Sequence, residues 1–201
     1  MSTEQADQSI RAAITAGEID RATEEAIRVY GPELIGWLCS ILPPECDAQE
    51  AFSRLSEDLW KSFRRFDGRC SVRTWCYMLA RHVASRIRTQ PRRQHEDLVS
   101  SIPSVVQAVT HVWNTTRAHN QRVHDVYAQI RSELDEEDQT LLVLRVDRDL
   151  AWRDIAIVLL GEDADPEEIT RKSASLRKQF ERVKTRLREL AAERLHDDTP
   201  R

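Results

Sequence analysis

The chain has 201 residues, of which 32% are charged and 40% hydrophobic, and its formal net charge is −4. That length holds one or two domains, the balance is that of a soluble globular chain, and no apolar run reaches the roughly 18 residues that crossing a bilayer requires. The first twenty residues lack the basic and apolar runs of a secretory leader. The four cysteines (Cys39, Cys46, Cys70 and Cys76) form no CxxC pair and have no zinc-type histidine pattern. The expectation is therefore a cytoplasmic chain with reduced thiols, no metal, no cofactor and no membrane insertion. Redox sensing at Cys70 is the minor alternative.

Residues 1–20 are polar, with helical spacing only at Ile10, Ile14 and Ile19, and read as an extension or a frayed helix. From 21 to 42 a helical period runs through Ala22, Ala26, Val29 and Tyr30, is interrupted at Gly31-Pro32, and resumes at Leu34, Trp37, Leu38 and Ile41. After Pro43-Pro44, Asp47 and Glu50 make a capping box. Ala51, Leu55, Leu59 and Phe63 then recur every four residues, which predicts a helix over 48–65. A loop over 66–71 follows. Ser71 is placed to cap the next helix, which carries Trp75, Leu79, Val83 and Ile87 to about Thr89. Residues 94–122 are polar and without pattern and read as a flexible linker, with a short helix over Val105–Trp113 as the alternative for part of it.

A second domain is expected over 123–201. Val126, Ile130 and Leu134 form a stripe, and Asp135 can cap a helix bearing Leu141, Leu142, Leu144 and Val146. A short helix over 151–160 ends at Gly161. Asp165-Pro166-Glu167-Glu168 then combines an N-cap, proline at the first helical position and an acid at the third. No glycine or proline interrupts 167–195, where Ile169, Leu176, Phe180, Val183, Leu187 and Leu190 share one stripe, so one long helix is predicted. The fold class expected is all-α: two helical domains joined by a linker, the second with a helix-turn-helix whose turn is expanded over 161–171.

Charge is distributed unevenly. From Lys61 to Arg93 there are ten Lys/Arg and one acid, Asp67; from Arg171 to Arg194 there are nine Lys/Arg against three Glu. Two separated basic segments in a mildly acidic chain suit two contacts with nucleic acid, although each also fits a plain solvated helix face. The first basic segment is interleaved with aromatics and preceded by a glycine loop, a composition suited to an opened single strand, whose bases stack and whose phosphates sit on arginine. Trp75 and Leu79 share a face and read as core. No P-loop, nucleophile elbow or HExxH motif is present, and no enzymatic activity is expected.

The run Phe66-Asp67-Gly68-Arg69-Cys70-Ser71-Val72-Arg73-Thr74-Trp75-Cys76-Tyr77-Met78-Leu79-Ala80-Arg81 resembles the region 2 signature of bacterial RNA polymerase sigma factors of the extracytoplasmic-function type. Leu134-Asp135, Gln139, Leu141-Leu142, Leu144-Arg145, Arg153-Asp154-Ile155-Ala156 and the block Arg182–Leu190 are similar, in order, to region 4 of the same family. The likeness covers about residues 25–93 and 123–192.

The resemblance implies a protein that binds core RNA polymerase and directs promoter-specific initiation. Phe66, Asp67, Gly68, Arg69 and Cys70 would capture a flipped base of the −10 element, with Arg73, Tyr77, Arg81, His82, Arg86 and Arg88 along the strand. Ser175, Arg177, Lys178, Gln179, Arg182 and Arg186 would read the −35 duplex. Glu50, Ser53, Arg54, Glu57, Asp58 and Lys61 would face the polymerase clamp helices, and the family implies an anti-sigma factor as a further partner. The sequence departs from the family at Ser53-Arg54, where Gln-Glu is usual, and at His82, where Asn is common. Two other classes stay open: a helix-turn-helix regulator that binds duplex DNA without polymerase, and a polymerase-binding module without initiation activity.

Overall fold

A computed structural model describes residues 3–42, 48–89 and 133–197, and among these the fold is all-helical. The chain divides into two compact units, Met1–Thr116 and Arg117–Arg201. The expected linker over 94–122, the Val126–Ile130 part of the stripe and the Asp47 cap lie outside the described residues.

The first unit holds α1 (Thr3–Thr15), α2 (Ile19–Ile41), α3 (Ala48–Ser62) with a 3₁₀ turn at Phe63–Arg65, and α4 (Val72–Thr89). α1 is no loose extension. Ala6, Ile10 and Ala13 are buried, and the helix packs on both α2 and α4. It stops at Gly17, whose φ of +76° lets the Glu18 N–H reach the Ala13 carbonyl at 2.9 Å, a Schellman ending.

α2 lies at the centre, against α1, α3 and α4. Its sequence period breaks at Gly31-Pro32, yet the helix runs through Pro32 without interruption. Proline removes one helical hydrogen bond and costs about 3 kcal/mol. Burial of Ile27, Tyr30, Leu34, Ile35, Trp37 and Leu38 on either side of it outweighs that, at about 1.5–3 kcal/mol for each large apolar side chain. Trp37 meets Tyr77 of α4 edge to face, with centroids 5.3 Å apart.

In α3 the four-residue period holds. Ala51, Leu55, Leu59 and Phe63 are all buried, joined by Phe52. The helix is one turn shorter than expected, since 63–65 tighten into the 3₁₀ turn that leads to the loop. Ser71 caps α4 as expected, its Oγ accepting the Thr74 N–H at 3.0 Å.

The second unit holds α5 (Glu136–Leu142), continued by a π turn over Val143–Asp147, then α6 (Trp152–Leu160) and α7 (Pro166–Asp197). Asp135 Oδ1 accepts the Asp138 N–H at 2.8 Å and starts α5. Leu141, Leu142 and Leu144 are buried as expected, but Val146, on the π turn that shifts the helical phase, is exposed. Leu134, Leu142 and Val183 form a core cluster with Phe180 and Leu187 against it, while Ile155, Ala156 and Val158 of α6 and Leu176 of α7 are buried.

Gly161, at φ +99°, ends α6. α7 starts where the sequence places its N-cap, at Asp165-Pro166, so the turn from Gly161 is shorter than the expanded one read over 161–171. There Asp165 Oδ1 accepts the Glu168 N–H at 2.7 Å and Glu168 Oε2 accepts the Asp165 N–H at 3.2 Å, so a reciprocal capping box starts α7 at Pro166.

Candidate nucleic-acid and polymerase surfaces

The loop between the 3₁₀ turn and α4 is built around one aromatic stack. Phe66 is half-buried, edge to face with Trp75 at 5.4 Å and with Phe63 at 6.5 Å. Trp75 is only 4% exposed, and its Nε1 donates to Ser62 Oγ at 3.1 Å. Trp75 and Leu79 are thus scaffold, as their shared face indicated.

Past Phe66 the chain turns outward. Asp67, Gly68 and Arg69 are exposed, and Gly68 sits at φ +76°, a conformation that favours glycine. Cys70 folds back and is buried, which withdraws its thiol from the surface.

Asp67 organises the loop tip. Its carboxylate accepts the Arg69 backbone N–H at 3.0 Å and pairs with the Arg69 guanidinium. The backbone hydrogen bond holds the Asp67 carboxyl below its ordinary value. Because the folded value is depressed, the stabilisation is present above the unfolded pKa and is lost as pH falls through the folded one. An NMR titration of the Asp67 side chain should show its midpoint below that of a carboxylate in an unstructured peptide, and Asp67→Asn should remove the acid-dependent change in loop amide shifts. An ordinary midpoint would show that the loop tip is not closed by this bond.

α4 sorts its polar residues sharply. Arg73 is committed inward: its Nε and Nη2 donate to the two Glu33 carboxylate oxygens of α2, both at 2.8 Å, and its guanidinium lies 5.7 Å from the Tyr77 ring. Its pKa is raised, chiefly by the bonds to Glu33. Tyr77 is fully buried against Trp37, so its ring offers nothing to a strand in this conformation. Cys76 is fully buried too, and desolvation pushes its thiol pKa well up.

Arg88 donates to the Ile41 carbonyl and so satisfies the end of α2. Arg86 pairs with Asp58 of α3. Of the residues expected along the −10 strand, then, Arg73, Tyr77 and Arg88 hold the unit together. His82 and Arg86 are exposed, and Arg81 is half-buried.

The charged face of α3 is present as expected. At about 100° per residue, Glu50, Ser53, Arg54, Glu57, Asp58 and Lys61 fall on one side of the helix, opposite Phe52, Leu55 and Leu59. Glu50 pairs with Arg54 at 2.5 Å and Glu57 with Lys61 at 3.5 Å, each at i,i+4. Arg86 and Asp58, expected to serve two different partners, share one ion pair.

Trp60 breaks the apolar period of α3 and is 39% exposed. Its Nε1 donates to Asp20 at 2.6 Å, and the Arg64 guanidinium lies 5.5 Å from its ring.

On α7, Ser175, Arg177, Lys178, Arg182 and Arg186 are exposed, whereas Gln179 is half-buried and donates to Asp138 of α5 at 2.7 Å. Leu176 is buried and Phe180 meets Trp152 of α6 at 5.4 Å, so both pack inward. Lys178 and Arg182 lie about 40° apart around the helix, with Arg171 between them, but Arg177 lies about 140° from Arg182. The basic residues therefore form two flanks rather than one reading face. The first turn is acidic, with Glu167 and Glu168, and the Asp165 carboxylate occupies the Glu168 N–H. The entry to α7 is therefore negatively charged, which disfavours a phosphate there.

Asp7 and Arg11 of α1 have no counterpart among the residues singled out from the sequence. Asp7 Oδ1 accepts the Val72 N–H at 2.6 Å, and Arg11 donates to the carbonyls of Gly68 and Cys70. Their i,i+4 spacing signals a helical ion pair, but nothing local signals targets 57 to 65 residues away.

Among the described residues no helix is long and apolar enough to cross a membrane, and no group of three or more His, Cys, Asp or Glu side chains is placed to hold a metal ion. No protein-family model, no curated protein and no solved structure matches the chain.

Proposed function

We propose that the chain is a sigma factor of the extracytoplasmic-function type, acting in the cytoplasm with core RNA polymerase and under an anti-sigma partner. The observation that carries the reading is the loop 66–71. A short glycine-turned segment, backed by the Phe66–Trp75 stack, presents Asp67, Gly68 and Arg69 at the start of a basic helix. Such an exposed loop tip with a neighbouring basic helix suits an unstacked base and its phosphates. The residue pattern of regions 2 and 4 supplies the rest of the argument.

In this reading the first unit holds the opened −10 strand with Phe66, Gly68, Arg69, His82 and Arg86. The α3 face engages the polymerase clamp. The second unit reads the −35 duplex through the flank carrying Lys178 and Arg182. Arg73, Tyr77 and Arg88 contribute by fixing the shape of the first unit. The chain itself catalyses no reaction.

Run-off transcription with purified core polymerase and a promoter library tests the proposal. Initiation from a subset of promoters sharing −10 and −35 sequences is expected. Duplex binding without polymerase would replace the reading with that of a helix-turn-helix regulator. Polymerase binding without initiation would replace it with that of an interaction module.

A further inference from the structure

We infer that α1 is a working part of the single-strand site: Asp7 and Arg11 hold the loop 66–71 in the shape that presents its surface to a base. The inference rests on the reading just given for the loop, but the geometry behind it does not. One guanidinium meets the loop at three places. Nη1 lies 3.4 Å from the Gly68 carbonyl, Nη2 donates to the Cys70 carbonyl, and the guanidinium lies 5.2 Å from the Phe66 ring centroid.

The third nitrogen, Nε, donates to Asp7 Oδ2 at 2.5 Å. Asp7 Oδ1 in turn accepts the Val72 N–H at 2.6 Å, one of the four amides that the start of α4 would otherwise leave unsatisfied. The two side chains thus tie both ends of the loop to α1, across 57 to 65 residues of sequence.

Gly68 completes the fit. A Cβ added there would stand 3.1 Å from Arg11 Nη1, closer than ordinary van der Waals contact, so the absent side chain lets the arginine lie along the loop. Both side chains are partly covered, at 34% exposure for Arg11 and 17% for Asp7. With all three of its nitrogens engaged, Arg11 is a positioning residue and not a phosphate contact. Loop geometry, and through it the choice of base, is what it controls.

The test uses the full chain with three variants, Arg11→Ala, Arg11→Lys and Asp7→Asn, so that a failure of one to fold leaves the others. Amide hydrogen exchange reads the clamp. In Arg11→Ala, where the Gly68 and Cys70 carbonyls lose their charged donor, the loop amides should exchange roughly 10-fold faster or more, and in Asp7→Asn the Val72 amide, left with a neutral acceptor, should exchange faster, with the α2 core unchanged in both. Arg11→Lys, which keeps the charge and loses the fork, should fall between.

The second readout is selection of a random-sequence single-stranded DNA pool on the assembled holoenzyme. Base preference should weaken about 10-fold in Arg11→Ala, while the salt dependence of binding keeps its slope, since no phosphate contact of about 0.7 in log–log slope is lost.

Unchanged loop exchange would overturn the inference. So would faster exchange with intact base preference, or a salt slope that falls. A wild-type holoenzyme that selects no sequence would instead overturn the sigma-factor reading and the strand-shaping role with it. A wild type that selects normally beside an Arg11→Ala variant that selects identically would sink the inference alone.

Discussion

Replacing Trp75 with alanine is expected to destabilise the first unit by about 3–5 kcal/mol, the cost of truncating a buried indole. The side chain is 4% exposed and supports three things together. Its ring backs Phe66 at 5.4 Å, its body fills the space between α3 and α4, and its Nε1 satisfies Ser62 Oγ at 3.1 Å in a buried setting. Alanine leaves a cavity and removes a donor from a hydroxyl that is itself 2% exposed. Trp75→Phe keeps the ring contact and loses the donor, for a smaller cost of about 1–2 kcal/mol. Urea unfolding of the two variants, read as a shift in midpoint at constant m, checks both values. A loss below about 1 kcal/mol for alanine would mean that Trp75 is not the wall on which the loop is built. Because Phe66 rests on Trp75, the phenylalanine variant should retain strand selectivity when alanine loses it.

The second large effect concerns the two flanks of α7. Reversing charge on one flank, Lys178→Glu with Arg182→Glu, is expected to abolish measurable −35 duplex binding at physiological salt. At low salt the log–log slope of affinity against salt should fall by about 0.9 for each phosphate contact removed. Both side chains are exposed and about 40° apart on the helix, so one groove wall can meet both. Arg177→Ala should weaken the same interaction far less, since Arg177 projects about 140° from Arg182. Core polymerase binding should survive in every case, because the α3 face belongs to the other unit. Fluorescence anisotropy with a labelled duplex across a salt series reads the slope, and co-purification with core polymerase reads the control. If Arg177→Ala proved the more damaging change, the reading face would be the opposite flank of α7.

The helix termini were the most legible features. Ser71, Asp135 and Asp165 each precede an apolar-periodic run, and each side chain caps its helix. The glycine that ends α6 was equally readable. These signals are local: a cap acts within three residues of itself, so the residues that cause it sit next to the residues that show it. The core stripes of α3 and α7 were legible for the same reason, since a 3.6-residue period is written along the chain.

Pro32 shows where local reasoning stops. Its propensity argues for a break, and the burial of its helical neighbours on three sides overrides it. The roles of the arginines are a second case. Arg73, Arg86 and Arg88 look alike in sequence, yet one is paired bidentately with Glu33, one with Asp58 and one with a helix-end carbonyl. A cation suits a phosphate, a carboxylate or a carbonyl equally well, and only its neighbours in space decide which it meets.

By itself, the sequence determined that the chain is helical, where α4, α5 and α7 begin, which faces of α3 and α7 turn inward, and that its loop 66–71 carries a glycine next to an aromatic. Only the tertiary structure decided that α1 is part of the core, that Tyr77 lies inside and Trp60 outside, and that Asp7 and Arg11 close on a loop far along the chain. The physical reason is range. Periodicity and capping are properties of neighbouring residues, whereas burial, ion pairing and loop shape depend on which helices pack together, and no short window of sequence contains both partners.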